Sequence, residues 1–260
     1  MRAIIIGLLA GIAAAGLTAP ANAQEAGRQP GQESGGQDLS NPDSAFVDTT
    51  EKKAWQAEIT PTERGFLIGN PDAGTRLTEF ISYTCSHCAS FAKESGATMD
   101  LVLVSPGKLG VEVRPHIRNW LDLTVSLLVQ CGDPSGYKDR HRLFLYSQDE
   151  WMTRALQAPR SQQADWARAS ADARLNAARA LDLDDMLANR GMDRPDINAC
   201  LADDEAAKKL VEDTEANRID YNITGTPSFA LDDKLLADIH SWQSLRPVLA
   251  ERYDPSASAR

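Results

Sequence analysis

The chain has 260 residues, with 27 Lys and Arg against 37 Asp and Glu, which gives a formal net charge of −10. This length accommodates one domain with an insertion or two small domains. The acidic balance and the lack of a basic stripe in the sequence exclude a protein built to bind nucleic acid.

The first 23 residues have the pattern of an export signal. Arg2 precedes an apolar run of Ala, Ile, Leu and Gly, and Ala21-Asn22-Ala23 matches an A-x-A cleavage site. An N-terminal membrane anchor is the alternative, but the run is short for a membrane span. We therefore expect cleavage after about Ala23 and a soluble mature protein in the periplasm, an oxidising compartment where cysteines can pair.

The rest of the chain divides into three segments. Residues 24–45 are rich in Gly, Gln, Ser and Pro, which predicts a disordered linker. Residues 46–253 carry the strand and helix patterns of a single folded domain. Residues 254–260 are expected to form a disordered tail.

Strand patterns open the domain. Residues 54–59 and 66–68 flank a turn and predict a leading hairpin. Residues 76–83 are apolar on both faces, which is typical of a central strand covered by helices on both sides. Glu79 is the one acid in that strand, and a carboxyl in so apolar a setting needs a reason to be there. A partly exposed position or a salt bridge is the alternative.

A helix and a second strand follow. The pattern predicts a helix over residues 85–104 and a strand over 111–118, and Pro115 favours a strand edge or a strand end. A strand, a helix and a strand in this order form a βαβ unit. The two strands should therefore be parallel.

A helical block of about a hundred residues comes next, from about residue 120 to 217. Apolar residues at helical spacing predict helices over 121–129, 137–147, 161–189, 194–201 and 203–221. Because no strand pattern interrupts them, we expect a helical insertion packed on an α/β core.

The chain then returns to strands. A tight turn at residues 224–227 feeds a short strand that ends at Leu231. A hairpin turn at 232–234 leads to a last strand over 235–238, and a helix over 241–253 closes the domain. These elements predict the α/β fold class.

Four residues at the first strand–helix junction carry the chemistry: Cys85-Ser86-His87-Cys88. A C-x-x-C pair at such a junction is the signature of a thioredoxin-like redox site. Unpaired backbone N–H groups and the positive end of the helix dipole favour a thiolate at the first cysteine. The second cysteine lies about one turn further on, where it can close a disulfide or attack a mixed one.

Four features in this order resemble the DsbA-like family of exported thiol:disulfide oxidoreductases, within the thioredoxin superfamily. They are the C-x-x-C motif with His87 in its second intervening position, Glu79 in the preceding strand, the helical insertion, and Gly225-Thr226-Pro227. The resemblance covers about residues 54–253. It implies a thioredoxin-like fold with a helical insertion domain, and it implies no cofactor and no metal.

The resemblance also implies a role for the residues around the motif. Cys85 would be the exposed nucleophile that forms a mixed disulfide with a client, and Cys88 would be the buried resolving cysteine. His87 would stabilise the Cys85 thiolate. Glu79 would relay protons to and from Cys88.

The matching loop near the C-terminus would face the disulfide. Pro227 would be a cis-proline, although an ordinary turn proline is the alternative. The backbone of Thr226 would then pair with an extended client in the manner of a β-strand. Thr226 departs from the valine found at this position in the best-known oxidases of the family, and threonine is common there in isomerases.

Three functions are compatible with these sequence features. The first is a periplasmic oxidase that gives its disulfide to reduced exported proteins and is reoxidised by a quinone-linked membrane partner of the DsbB type. The second is an isomerase or reductase kept reduced by a membrane reductase; His87 favours the oxidase and Thr226 the isomerase. The third is a copper chaperone or client-binding module, because two thiolates and a histidine can bind a soft cation.

The N-terminal segment bears on the oligomeric state. Isomerases of the family usually carry an N-terminal dimerisation domain, and residues 24–53 are too short and too polar to form one. We therefore expect a monomer.

Two further cysteines, Cys131 and Cys200, flank much of the helical insertion. An even number of cysteines and an oxidising compartment predict a structural disulfide between them. Two unpaired buried cysteines are the alternative. A four-cysteine zinc site would need a second close pair, which these residues do not supply.

Overall fold

The structure, a computed structural model, describes residues 53–253. The export signal, the linker and the C-terminal tail that we expect at residues 1–23, 24–45 and 254–260 lie outside the described residues. Within residues 53–253, no helix is both long and apolar enough to cross a lipid bilayer.

A six-stranded sheet forms the core of the fold. Its strands are β1 (Ile59–Pro61), β2 (Phe66–Gly69), β3 (Arg76–Ile81), β4 (Gly110–Pro115), β5 (Ser228–Leu231) and β6 (Lys234–Leu235). Their order across the sheet is β1-β2-β4-β3-β5-β6. As predicted, β3 and β4 are parallel, whereas the other neighbours are antiparallel. The predicted central strand, β3, has a partner on each side and is buried along its length after Arg76.

Several strand boundaries differ from those predicted. The leading hairpin is present, but the residues Trp55–Ala57 form a 3-10 turn and β1 begins only at Ile59. Pro115 is the last residue of β4, a position where its missing N–H interrupts no further pairing. The last strand, expected over 235–238, is only two residues long, Lys234–Leu235.

Ten α-helices are present in residues 53–253. They are α1 (Ser86–Thr98), α2 (Trp120–Gln130), α3 (Tyr137–Tyr146), α4 (Gln148–Gln157), α5 (Arg160–Trp166), α6 (Ala171–Ala180), α7 (Leu183–Ala188), α8 (Arg194–Ala202), α9 (Asp204–Tyr221) and α10 (Trp242–Tyr253). A π-helical segment, Met99–Val104, extends α1 to the end predicted for it.

The prediction of one continuous helix over residues 161–189 is wrong. The stretch 161–189 is divided among α5, α6 and α7, and α4 lies in a stretch where we predicted no helix. The breaks fall at Ala169 and Asp182, which have φ values of 52° and 57°. This left-handed conformation ends a right-handed helix, and composition alone does not reveal that an alanine will adopt it.

The helical insertion and the sheet share one hydrophobic core. Its largest cluster joins Leu77 and Ile81 of β3 with Leu128 of α2, Phe144 of α3 and Trp151 of α4. Each of these five side chains is at most 1% exposed. Fully burying an apolar side chain of this kind contributes about 1.5–3 kcal/mol, so α2–α4 are fixed firmly against the sheet.

A disulfide joins Cys131 and Cys200, 69 residues apart in the chain. Cys131 follows the last turn of α2, and Cys200 lies in α8. In the chain-entropy model, closing a loop of this length stabilises the fold by about 4 kcal/mol.

Candidate redox site

The two cysteines of the C-x-x-C motif lie at the start of α1, directly after β3. Cys85 is the N-cap residue with extended backbone angles, and α1 begins at Ser86. The Cys85 carbonyl accepts the first helical N–H groups, from Cys88 at 3.1 Å and Ala89 at 3.2 Å. Cys85 is thus at the position from which a capping side chain normally accepts the free N–H groups of a helix, although its sulfur makes no capping hydrogen bond.

Cys85 and Cys88 are both reduced in this structure. Cys88 is 1% exposed, as expected for a resolving cysteine, but Cys85 is only 5% exposed rather than openly exposed. The Cys85 thiol is covered by the loop before β5 and donates a hydrogen bond of 3.1 Å to the Thr226 carbonyl.

The environment of Cys85 favours its thiolate. The pKa of this thiol falls from 9.0 to about 5. A hydrogen bond with the Cys88 thiol makes the largest contribution, burial opposes it, and Thr226 and the N–H groups of Cys88 and His87 add to the lowering. His87 thus acts through its backbone, whereas its exposed side chain makes no hydrogen bond with the described residues.

The environment of Cys88 has the opposite effect. Burial, the largest cause, together with the neighbouring Cys85, raises the pKa of the Cys88 thiol well above 9.0. At neutral pH the reduced site therefore holds one thiolate, on Cys85, and one thiol, on Cys88. Cys85 is therefore suited to leave as a thiolate, whereas Cys88 is suited to take up a proton.

The loop that faces the cysteines contains a cis peptide bond between Thr226 and Pro227. Thr226 lowers the pKa of both thiols. Its hydroxyl is buried and has no partner of normal hydrogen-bond geometry among the described residues. On the other side of the loop, the Pro227 carbonyl lies 2.7 Å from His240 Nδ1.

Glu79 lies on β3 and is 5% exposed, which excludes the alternative of a partly exposed strand residue. Burial, and then the negative charge of Asp100, raises the pKa of its carboxyl from 4.5 to about 8. The carboxyl makes no hydrogen bond or ion pair with the described residues. It lines a cavity of about 60 Å³ between the sheet, α1 and α3, together with Ser95, Lys138 and His141. Such a cavity has room for water.

Two polar residues beside the site were missed by the sequence analysis. Asp122 of α2 and Gln148 of α4 are buried against the segment that connects β3 to Cys85. Asp122 carried a signal, because an acid between Leu121 and Leu123 is as unexpected as Glu79 in its strand. Gln148 carried none, because glutamine is common at exposed helix starts.

Comparison with known proteins agrees with this geometry. Residues 61–251 match the family model described as thioredoxin. The crystal structure of a protein-disulfide isomerase from Novosphingobium aromaticivorans is 39% identical with a TM-score of 0.70, over 72% of this chain and 96% of that one. The crystal structure of alpha-DsbA1 from Wolbachia pipientis has a TM-score of 0.60 over 76% of this chain and 96% of that one. Its 19% identity shows a common fold alone.

A further relative comes from Rickettsia bellii, where it is described as a protein-disulfide oxidoreductase. It is 25% identical over 180 residues, which is 69% of this chain. The match spans 61% of the length of that relative. The fold is thus the predicted α/β fold of DsbA-like proteins with a helical insertion, and the chain belongs to the thioredoxin family.

Proposed function

We propose that the protein is a thiol:disulfide oxidoreductase of the DsbA type, which introduces disulfide bonds into exported proteins through Cys85 and Cys88. The observation that carries this proposal is the opposite effect of the site on its two thiols. The pKa of Cys85 falls to about 5, whereas that of Cys88 rises well above 9.0. A stabilised thiolate on Cys85 favours the reduced form and therefore makes the disulfide more oxidising.

The reaction begins with the oxidised site. A client thiolate attacks the Cys85 sulfur, the bond between Cys85 and Cys88 breaks, and a mixed disulfide forms between the client and Cys85. The electron pair of the broken bond leaves on the Cys88 sulfur, which takes up a proton because its pKa is high. A second client thiolate then attacks the client sulfur and displaces the Cys85 thiolate. The client loses two electrons and gains a disulfide, and the site is reduced.

Glu79 is the proton donor that we propose for Cys88. With a pKa of about 8, its carboxyl is protonated at neutral pH and holds a proton that a newly formed thiolate can take. It lies on the same face of β3 as Leu77 and Ile81, which pack in one cluster with Cys88. The adjoining cavity gives water a route for returning the proton.

The Thr226 backbone is the client-binding edge that we propose. Its carbonyl lies 3.1 Å from the Cys85 sulfur and accepts the thiol when Cys85 is protonated. A Cys85 thiolate and a Cys85 disulfide both lack that proton, so at neutral pH the carbonyl is free to accept an N–H from an extended client.

An isomerase or reductase is the second candidate, supported by Thr226 and by the name of the Novosphingobium neighbour. The reduction potential of the Cys85/Cys88 pair against glutathione separates the two candidates. We expect a value near about −120 mV, as in a strong oxidase, whereas about −180 mV would favour an isomerase and about −270 mV a reductant.

Export and partners complete the proposal. Cleavage after about Ala23 would deliver a monomeric protein to the periplasm, where reduced exported proteins are its clients and a quinone-linked membrane protein of the DsbB type reoxidises it. N-terminal sequencing of the protein from a periplasmic extract tests the first part. Cytoplasmic retention of the uncleaved chain would contradict it.

A further inference from the structure

The segment that leads into the redox site, residues 82–85, is held by two buried side chains of the helical insertion. Asp122 lies in the first turn of α2 and is 0% exposed, and Gln148 is the first residue of α4 and is 3% exposed. Neither residue belongs to the C-x-x-C motif or to the cis-proline loop. Both are polar groups whose burial is costly unless their hydrogen bonds are satisfied.

Asp122 binds the three residues that precede Cys85. Its Oδ1 accepts the Tyr83 backbone N–H at 2.7 Å. Its Oδ2 accepts the Ser82 hydroxyl at 2.5 Å and the backbone N–H of Arg118 at 3.1 Å. The Thr84 hydroxyl makes a longer contact of 3.4 Å with the same oxygen.

The Asp122 carboxyl is ionised when the enzyme works. Burial raises its pKa from 3.8 to about 6, and the hydrogen bonds from Ser82, Arg118 and Tyr83 oppose that rise. At neutral pH the carboxylate therefore accepts all of these bonds at once. Hydrogen bonds to a charged acceptor are about twice as strong as those between neutral groups.

Gln148 holds the same segment from the other side. Its Nε2 donates to the Tyr83 carbonyl at 2.6 Å and to the Cys85 carbonyl at 3.0 Å. The backbone of Tyr83 is thus bound at its N–H by α2 and at its carbonyl by α4. The Tyr83 ring is also fixed, since its hydroxyl lies 2.9 Å from His141 Nδ1.

These contacts bear directly on the reacting sulfur. Cys85 follows the segment at once. Its Sγ lies at the N-terminus of α1, 3.1 Å from the Thr226 carbonyl, and the Cys88 thiol and the N–H groups of Cys88 and His87 favour its thiolate. A displacement of the segment by about 1 Å would move the sulfur away from these donors and disfavour the thiolate.

We propose that Asp122 and Gln148 are positioning residues of the redox site. They bind residues 82–85 from opposite sides and so keep the Cys85 sulfur against the start of α1 and the Thr226 carbonyl. This inference rests on the proposed function, and it assigns to the helical insertion a part in tuning the nucleophile.

The test uses the full-length mature protein with Asp122→Leu or Gln148→Met. Near pH 5 the Asp122 carboxyl, whose pKa is about 6, is largely protonated but still accepts the Tyr83 N–H, so the variant has to remove the acceptor and not the charge alone. The reduced proteins are alkylated with iodoacetamide across a pH series, and mass spectrometry follows the modification of Cys85. We expect each variant to raise the midpoint of the profile, with a fall of about 3- to 10-fold in rate at pH 5, since one pKa unit changes the thiolate fraction about tenfold below the midpoint. Asp165→Leu on α5, an exposed acid paired with Arg168, is the matched control and should leave the profile unchanged.

The sign of the Asp122→Leu effect separates positioning from simple charge. If Asp122 acted only as a nearby negative charge, the variant would remove the small charged fraction that is present near pH 5, and the midpoint would stay or fall. A midpoint that does not rise would therefore overturn the positioning role of Asp122. Gln148→Met changes no charge, so it decides the question if Asp122→Leu fails to fold.

The double variant adds a second readout. Because both side chains act through Tyr83, their combined shift should be smaller than the sum of the single shifts. Unchanged profiles in both single variants, with a wild-type protein that exchanges disulfides, would remove the positioning role and leave the proposed function intact. Unfolding of both variants would assign the two residues to folding alone and would also overturn the proposal.

Discussion

The two pairs of cysteines in this chain lie in contrasting surroundings. Cys131 and Cys200 are joined in a disulfide between α2 and α8, within the helical insertion. Cys85 and Cys88 are reduced, and they lie at a helix N-terminus facing a cis-proline loop. In the first pair the bond closes a long loop and stabilises the fold. In the second pair the pKa of Cys85 is low and that of Cys88 is high, and this difference favours the making and breaking of a disulfide bond.

The largest effect should come from the nucleophile. We expect Cys85→Ser to reduce the oxidation rate of a reduced peptide substrate by roughly 10³-fold or more, because no other group can form the mixed disulfide. As a matched control, replacing both Cys131 and Cys200 by serine should leave this rate within about twofold of the wild-type rate. Residual exchange in Cys85→Ser would assign the nucleophile to another residue.

The disulfide between Cys131 and Cys200 should have its main effect on stability. Serine at both Cys131 and Cys200 should lower the free energy of unfolding by about 2–5 kcal/mol, as measured by urea denaturation. The alkylation midpoint of Cys85 should not change. A shift of that midpoint would show that the structural disulfide and the redox site are coupled.

Glu79 should make stability depend on pH. Its folded pKa is about 8 and its unfolded pKa is 4.5, so its contribution to stability is complete below pH 4.5 and is lost as the pH rises to about 8. In this window the difference in unfolding free energy between the wild type and Glu79→Gln should fall by about 1.4 kcal/mol per pH unit. Urea denaturation at a series of pH values measures it. A difference independent of pH would show that the Glu79 carboxyl is ionised in the folded protein.

Thr226 should have the smallest effect. Thr226→Val removes a side chain that lowers the pKa of Cys85, and the backbone carbonyl remains. We expect the alkylation rate of Cys85 at pH 5 to fall by roughly two- to threefold. Stability should not fall, because the hydroxyl that is lost is buried without a partner. A faster reaction at pH 5 would mean that Thr226 favours the thiol form.

The sequence predicted the parts of the fold that depend on strong local patterns. The apolar run of β3, the helix after Cys85 and the parallel pairing of β3 with β4 were all predicted correctly. The division of the 161–189 stretch was not, because it depends on the left-handed backbone of Ala169 and Asp182. An apolar pattern at helical spacing does not record where the backbone leaves the right-handed conformation.

The site was predictable to a similar extent. The motif located both cysteines and His87, whose backbone N–H lowers the pKa of Cys85. The stabilisation that the family resemblance implies for the His87 side chain stays a prediction. The positions of Asp122 and Gln148 depend on how α2 and α4 pack against the segment before Cys85. Asp122 and Gln148 are 39 and 65 residues away from Tyr83 in the chain. The local spacing of residues in the sequence does not predict contacts over such separations.

The acidity of Cys85 is the central claim, and a pH titration of the reduced protein tests it most directly. The ultraviolet absorbance of the thiolates, with a protein that has serine at both Cys85 and Cys88 as the blank, should show a single ionisation with a midpoint at about pH 5. Cys88 should contribute no second ionisation below pH 9, because burial keeps its thiol protonated. A midpoint near the ordinary value of 9.0 would contradict the account, since the site would then not stabilise its nucleophile.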